Sequence, residues 1–234
     1  MKENKYRNSK ISILADSIST FEGSNPDGYT LFYTGDALEE TGVRSVADTW
    51  WSIVAEHFGA KILVNNSWSG SRATRLPENE SLFPSGISDE RAGGLAVGDE
   101  QPDIIFLWLV TNDMLAGAKP RRENETDDKT LCFDTAYETI LQKLEKNYPK
   151  ARIFCFTTGY GVRSDIPNFC PTYPLERSEK YNRVIREFAK KHGLTVIELF
   201  DEKKKYDTAD EFHPTRAGMR SLAAAVIDEL EKAE

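Results

Sequence analysis

Cysteine is scarce in this chain. Cys132, Cys155 and Cys170 are the only three in 234 residues, an odd set without a C-x-x-C pair. A disulfide framework and a zinc-binding thiol cluster are both disfavoured, and Cys155, inside an apolar run, is expected to be buried. Long apolar runs are missing too: none approaches the ~20 residues that a membrane-spanning helix needs. Residues 1–10 are polar and basic and carry no apolar signal core. They are expected to form a flexible tail on a cytoplasmic protein, or on a secreted one if a leader has been removed. Positive charge is in deficit, with 30 Lys and Arg against 38 Asp and Glu, a formal net charge of −8. Phosphate backbones and anionic lipid surfaces are repelled by such a balance, so neither nucleic acid nor a membrane is an expected partner. Several catalytic signatures are absent: G-x-x-x-x-G-K-[ST], the G-x-S-x-G elbow, D-x-D-x-[TV] and H-E-x-x-H.

The material for a core is present, since 39% of the residues are hydrophobic and 11% aromatic. Five β-branched, apolar runs stand between turn formers, at residues 11–15, 61–65, 103–110, 151–157 and 194–199. Most are apolar on both parities, the pattern of parallel strands covered on both faces. Helical spacing fills the gaps at 46–58, 134–147, 176–192 and 215–232. Regular alternation of this kind predicts right-handed crossovers and a three-layer α/β/α sandwich, with a five-stranded parallel sheet in the flavodoxin-like order 2-1-3-4-5. A single domain over residues 11–234 is expected. Two polar stretches, 75–102 and 116–129, are too long for ordinary connections and are expected to shape a pocket, as a lid or an interface.

In open parallel sheets ligands bind beyond the carboxyl ends of the strands. Strand one runs into Asp16-Ser17-Ile18-Ser19 and strand two into Ser67-Trp68-Ser69-Gly70. Strand three runs into Thr111-Asn112-Asp113, and strand five, after a loop, into Asp210-Glu211-Phe212-His213-Pro214. A serine nucleophile needs a base that titrates near neutrality, and only three histidines are available. His57 and His192 each sit where a helix ends, next to glycine, a position explained by the helix dipole. His213 lies in a loop before a helix, three residues after Asp210.

These blocks resemble those of the SGNH (GDSL-like) hydrolases. Ala15-Asp16-Ser17 is similar to the family's first block, Ser69-Gly70 to its glycine block, Val110-Thr111-Asn112-Asp113 to its Gly-x-Asn-Asp block, and Asp210 to Pro214 to its Asp-x-x-His-Pro block. The four occur in family order over residues 11–214. The resemblance implies a cofactor-free serine esterase acting on a small-molecule ester, with a short acyl group such as acetyl on a carbohydrate. Ser17 would be the nucleophile, His213 its base and Asp210 the orienting carboxylate. The backbone N–H groups of Ser17 and Gly70 and the side-chain amide of Asn112 would form the oxyanion hole. Gly70 would be needed because a side chain there would crowd the substrate. Two positions depart from the pattern: Ala15 and Val110 stand where the family has glycine, and Val110 is expected to narrow the acyl pocket or shift Asn112.

Three alternative uses of the same residues follow from their chemistry. Asp16, Asp113 and Asp210 could hold a divalent metal in a phosphoesterase, and the whole could be a non-catalytic binding module on the same fold. Asp16 and Asp113 could instead be structural, holding loops by hydrogen bonds. Trp50, Trp51 and Trp108 are expected in the core, whereas Trp68, two residues before Gly70, is the aromatic placed to line a pocket. Gly159-Tyr160-Gly161 begins like a dinucleotide fingerprint but lacks the third glycine and follows the wrong strand.

Overall fold

Twelve of the 234 positions excepted, the chain is traced by a computed structural model that describes residues 4–166 and 175–233; Met1–Glu3, residues 167–174 (Cys170 among them) and Glu234 lie outside it. The element order is β1 (Lys10–Ala15), α1 (Asp36–Thr41), α2 (Trp50–Phe58), β2 (Lys61–Ser67), α3 (Asp89–Gly93), β3 (Ile104–Trp108), α4 (Thr111–Leu115), α5 (Phe133–Asn147), β4 (Arg152–Phe156), β5 (Gly161–Val162), α6 (Leu175–Lys191), β6 (Thr195–Ile197), β7 (Tyr206–Asp207) and α7 (Arg216–Lys232). The main sheet has five strands, all parallel, in the order β2-β1-β3-β4-β6. Since β6 is the fifth strand of this sheet, the order is the predicted 2-1-3-4-5. A separate pair, β5 and β7, was not legible because each strand has two residues.

The central strand β3 is buried along its whole length, as a strand sandwiched by helices must be. Its side chains alternate between the two helical layers. Phe106 and Trp108 face α2, where the Trp50 ring lies 5.9 and 5.7 Å from theirs, and Phe154 and Phe156 of β4 extend the same aromatic layer. The opposite parity faces α5 and α6, where Phe133, Tyr137 and Tyr181 pack together. Cys155 belongs to this second face; it is free and buried, and burial pushes its thiol up to about 12.

Where the elements differ from the sequence reading, the reasons are local. The predicted helix at 46–58 is broken after a short turn at Val46–Asp48, because Ser45 and Asp48 close a capping box and Thr49 then caps a second start at Trp50. The third strand ends at Trp108 rather than 110, since Val110 leaves the extended region and α4 begins. The expected tail is docked from Asn4 onward. Tyr6 is buried between Phe58 and Phe154, and its hydroxyl donates to the Leu230 carbonyl at 3.1 Å. Among the described residues, no helix is long and apolar enough to cross a membrane.

Candidate active site

Register brings three of the sequence blocks to one edge. Ala15 pairs with Ser67 on one side and Trp108 on the other, so Ser17, Gly70 and Asn112 all leave the sheet at the same level. After β1 the chain makes one tight turn over Ser17–Ser19, capped by Asp16, whose Oδ1 accepts the Ile18 N–H at 3.2 Å. The turn is pinned from behind: the Ser19 carbonyl accepts bonds from the Trp51 indole and the Asn65 amide. Ser17 is therefore fixed at the rim, 8% exposed.

The fourth block closes on it from the other end of the chain. His213 Nε2 lies 2.8 Å from Ser17 Oγ, and His213 Nδ1 lies 2.7 Å from Asp210 Oδ2. The other Asp210 oxygen accepts the backbone N–H groups of Phe212 and His213. Burial alone would raise the Asp210 carboxyl. The bond and charge of His213 and the two backbone donors bring it down to about 2 instead. The imidazole is held flat by Phe32, stacked on it at 3.4 Å between centroids and 6° between planes. Tyr33 donates to the Pro214 carbonyl at 2.9 Å and so ties the same loop to the segment after Ser17. His57 and His192 stand elsewhere, beside Glu231 and Glu145 respectively.

The geometry around the expected oxyanion donors is specific. Asn112 donates one amide hydrogen to the Ser71 carbonyl at 3.0 Å, which orients the side chain and leaves its second N–H. No acceptor among the described residues takes the backbone N–H of Ser17 or Gly70. Gly70 has φ +81°, a conformation disfavoured for other residues, and a Cβ there would meet the Phe83 ring at 3.1 Å. Glycine is thus required by its own backbone and by Phe83. At the two departures from the family pattern, Ala15 and Val110 both keep negative φ and both belong to the buried core.

Two of the three carboxylates offered for a metal are committed otherwise. Both oxygens of buried Asp113 accept donors, from Ala73 N, Thr74 N and Thr74 Oγ1, at 2.6–2.9 Å. That carboxylate fastens the loop after β2 to α4. Asp210 belongs to His213. Asp16 is fully buried, its Oδ2 has no partner among the described residues, and burial raises its carboxyl to about 6. Among the described residues, no group of three His, Cys, Asp or Glu side chains could hold a metal ion. The phosphoesterase alternative loses its ligand set on this geometry.

Several residues of the site were missed. Arg91, on α3 within the polar stretch 75–102, is completely buried and donates to the carbonyls of Ala15, Asn66 and Pro84, the Asn66 side chain and the Ser71 hydroxyl. It ties the end of β1 to the end of β2 and to the residue after Gly70; burial lowers its guanidinium to about 10. Nothing in the local sequence distinguishes it from a surface arginine. Phe32 lies in an aperiodic loop and was equally illegible. Trp68, by contrast, was expected to line a pocket but is 8% exposed, with Tyr29 covering its ring at 4.2 Å. Gly161 is explained by packing: a Cβ there would lie 2.4 Å from the Glu211 carbonyl, so β5 can support the His213 loop only without a side chain.

Two cavities adjoin these residues. One, of about 260 Å³, lies among the chain neighbours of the three central groups: Ile18, Thr111, Met114, Glu211 and Phe212. The other, of about 670 Å³, lies beyond the Ser71–Asn112 contact, between residues 72–75 and 116–132. The stretch 116–129 does shape a pocket, which Arg75 also lines, and the stretch 75–102 contributes Ile87, Ala92 and Leu95 to the core.

No curated protein shows significant similarity to the chain. Among solved structures, a candidate GDSL-like lipase from Bacteroides ovatus is 27% identical, covering 96% of this chain and 98% of that one, with a TM-score of 0.74. A second, from Bacteroides uniformis, is also 27% identical, covers 96% of each chain and has a TM-score of 0.71. A family two carbohydrate esterase from Clostridium thermocellum shares the fold at 18% identity, covering 97% of this chain and 64% of that one, with a TM-score of 0.58. The family profile of GDSL-like lipases and acylhydrolases matches residues 9–230. With nearly its whole length inside that profile, the chain belongs to the GDSL-like lipase/acylhydrolase family of the SGNH hydrolases and is an acylhydrolase.

Proposed function

We propose that the protein is a serine esterase that removes a short acyl group, such as acetyl, from a hydroxyl of a polar alcohol such as a sugar. The observation that carries this reading is the chain of contacts from Ser17 Oγ through His213 to Asp210, at 2.8 and 2.7 Å. With Nδ1–H donating to Asp210, Nε2 is free to accept the Ser17 proton. Oγ then attacks the ester carbonyl carbon, and the carbonyl electron pair moves onto oxygen. The N–H groups of Ser17, Gly70 and Asn112 receive that oxyanion. Its collapse breaks the bond to the alcohol oxygen, which leaves with the proton held by His213. Water repeats the sequence in reverse order on the acyl-enzyme, releasing the acid and restoring Ser17.

The short acyl chain is supported by the tight space enclosed among Ile18, Thr111, Met114 and Phe212, the neighbours of the proposed catalytic groups, which leaves no room for a long one. A fluorophosphonate probe followed by peptide mapping tests the nucleophile without knowledge of the substrate. Labelling at Ser17, abolished in Ser17→Ala, is expected. An unlabelled, folded protein would leave only a binding module on this fold.

A further inference from the structure

The larger cavity lies directly beyond the oxyanion donors, since its wall begins at Arg72, next to the Ser71 carbonyl that holds Asn112. Its lining is cationic in a chain that is strongly anionic. Arg72, Arg75 and Lys119 line it. Arg177 of α6 reaches the same wall, its Nη2 3.1 Å from the position of a Cβ on Gly117.

Several surface arginines are spent on carboxylates, Arg121 on Glu187, Arg186 on Glu198 and Arg216 on Asp48. Arg72, Arg75 and Arg177 make no ion pair with a carboxylate among the described residues. Arg72 is held in place by donating from Nη2 to the Arg75 carbonyl at 2.7 Å, while its Nε is buried and has no partner among the described residues. The acidic groups facing the cavity are already engaged. Asp127 bonds Lys119, Asp128 accepts both the N–H and the hydroxyl of Thr130, and Asp113 behind Arg72 is filled by Ala73 and Thr74. Asp128 also feels the charge of Arg75. A desolvated guanidinium donor without an acceptor, flanked by a second unpaired guanidinium, is a receptor for a planar oxyanion.

We infer that this cavity is a specificity subsite for a carboxylate on the ester substrate, bound by Arg72 and Arg75. The inference rests on the esterase reading, which it sharpens to esters of anionic molecules. The carboxylate could belong to the acid half of the ester or to the alcohol half, and the chemistry of recognition is the same.

Two substrate pairs separate those sources: 4-nitrophenyl hydrogen succinate against 4-nitrophenyl butyrate, and an O-acetylated methyl glucuronoside against the corresponding glucoside. The wild type is expected to favour the anionic member of one pair by roughly tenfold or more in kcat/KM, mainly through KM, as one charge-assisted bidentate contact allows. The pair that responds identifies the half that carries the charge. In Arg72→Gln combined with Arg75→Gln the ratio should fall to about one, and Arg72→Lys should retain part of it. Arg75 is exposed, so Arg75→Gln alone keeps the test alive if changes at Arg72 impair folding. No preference in either pair, or a preference the double variant keeps, overturns the subsite. If the wild type cleaves none of the four, the esterase reading has failed. The subsite is then judged by melting in succinate or glucuronate: a rise in Tm that the double variant loses supports it, and no rise overturns it.

Discussion

Ser17, Gly70 and Asn112 stand at the ends of three neighbouring strands whose last three residues are all buried, while Asp210 and His213 stand on a loop that follows a two-residue strand. On the first side, buried groups fill the space behind the rim: Arg91 bridges two strand ends, and Asp113 fastens the neighbouring loop to α4. On the second side the Asp210 side chain is 47% exposed, and the chain passes through Glu211 with φ +87°, in the left-handed region. The difference follows from the tasks proposed for the two sides. Oxyanion donors act only if they are aimed before the reaction begins, which calls for a stiff core behind them. A base must gain and lose a proton within reach of water. It is oriented by one carboxylate and one stacked ring.

Arg91→Met breaks the comparison most severely. It removes five charge-assisted bonds from buried acceptors, each worth about 1.5–3 kcal/mol, although the Ala15 and Pro84 carbonyls keep second donors in the Trp68 N–H and the Ser71 hydroxyl. A loss of 3 kcal/mol or more, on the order set by that principle, is expected in denaturant unfolding. Unchanged stability would mean that the strand ends are held by packing alone.

Asn112→Asp keeps the shape of the stiff side and reverses its electrostatics, putting an acceptor where the developing oxyanion needs a donor. The expected result is a fall in kcat on the order of a hundredfold or more, with KM moved little. Steady-state kinetics on an ester the wild type cleaves would expose the error if kcat stayed near normal.

The two sides also respond oppositely to pH. Asp16 has its carboxyl raised from 3.8 to about 6, so the folded state binds this proton more tightly than the unfolded chain does. Its contribution to stability is present below pH ~4 and is lost as pH rises through about 6. Asp210, lowered to about 2, contributes above pH ~4 and loses that contribution as pH falls toward 2. Asp16→Asn retains an oxygen for the Ile18 N–H and removes the need to charge a buried acid. It should be more stable than the wild type at pH 8 by on the order of 2–3 kcal/mol, with little gain at pH 4. Unfolding curves at the two pH values test this, and a gain independent of pH would rule out ionisation as its origin.

The smallest effect is expected on the loop side. Glu211→Gly relieves a positive φ but enlarges the freedom of the unfolded chain, two terms of similar size and opposite sign. Stability should change by less than about 1 kcal/mol in either direction. A large loss would show that the Glu211 side chain, and not only its backbone, supports the loop.

The sequence alone determined the architecture and the identity of the groups that meet at the rim. Apolar runs on both parities could be satisfied only by parallel strands under two helical layers, and the polar residues after each run then had to share one edge. Ser17, Asn112, Asp210 and His213 were legible because their chemistry is unusual in such positions. Tertiary structure decided everything that depends on partners distant in the chain. Arg91, 76 residues from Ala15, reads as an ordinary loop arginine until burial strips it of water and leaves it five protein acceptors. Phe32 meets His213 only after the chain has closed, Tyr29 covers the Trp68 ring, and Arg72 has no carboxylate in an ion pair among the described residues. Local pattern encodes which face is apolar. Pairing of polar groups is settled by whichever donor and acceptor the fold brings within reach, and a linear sequence does not contain that distance.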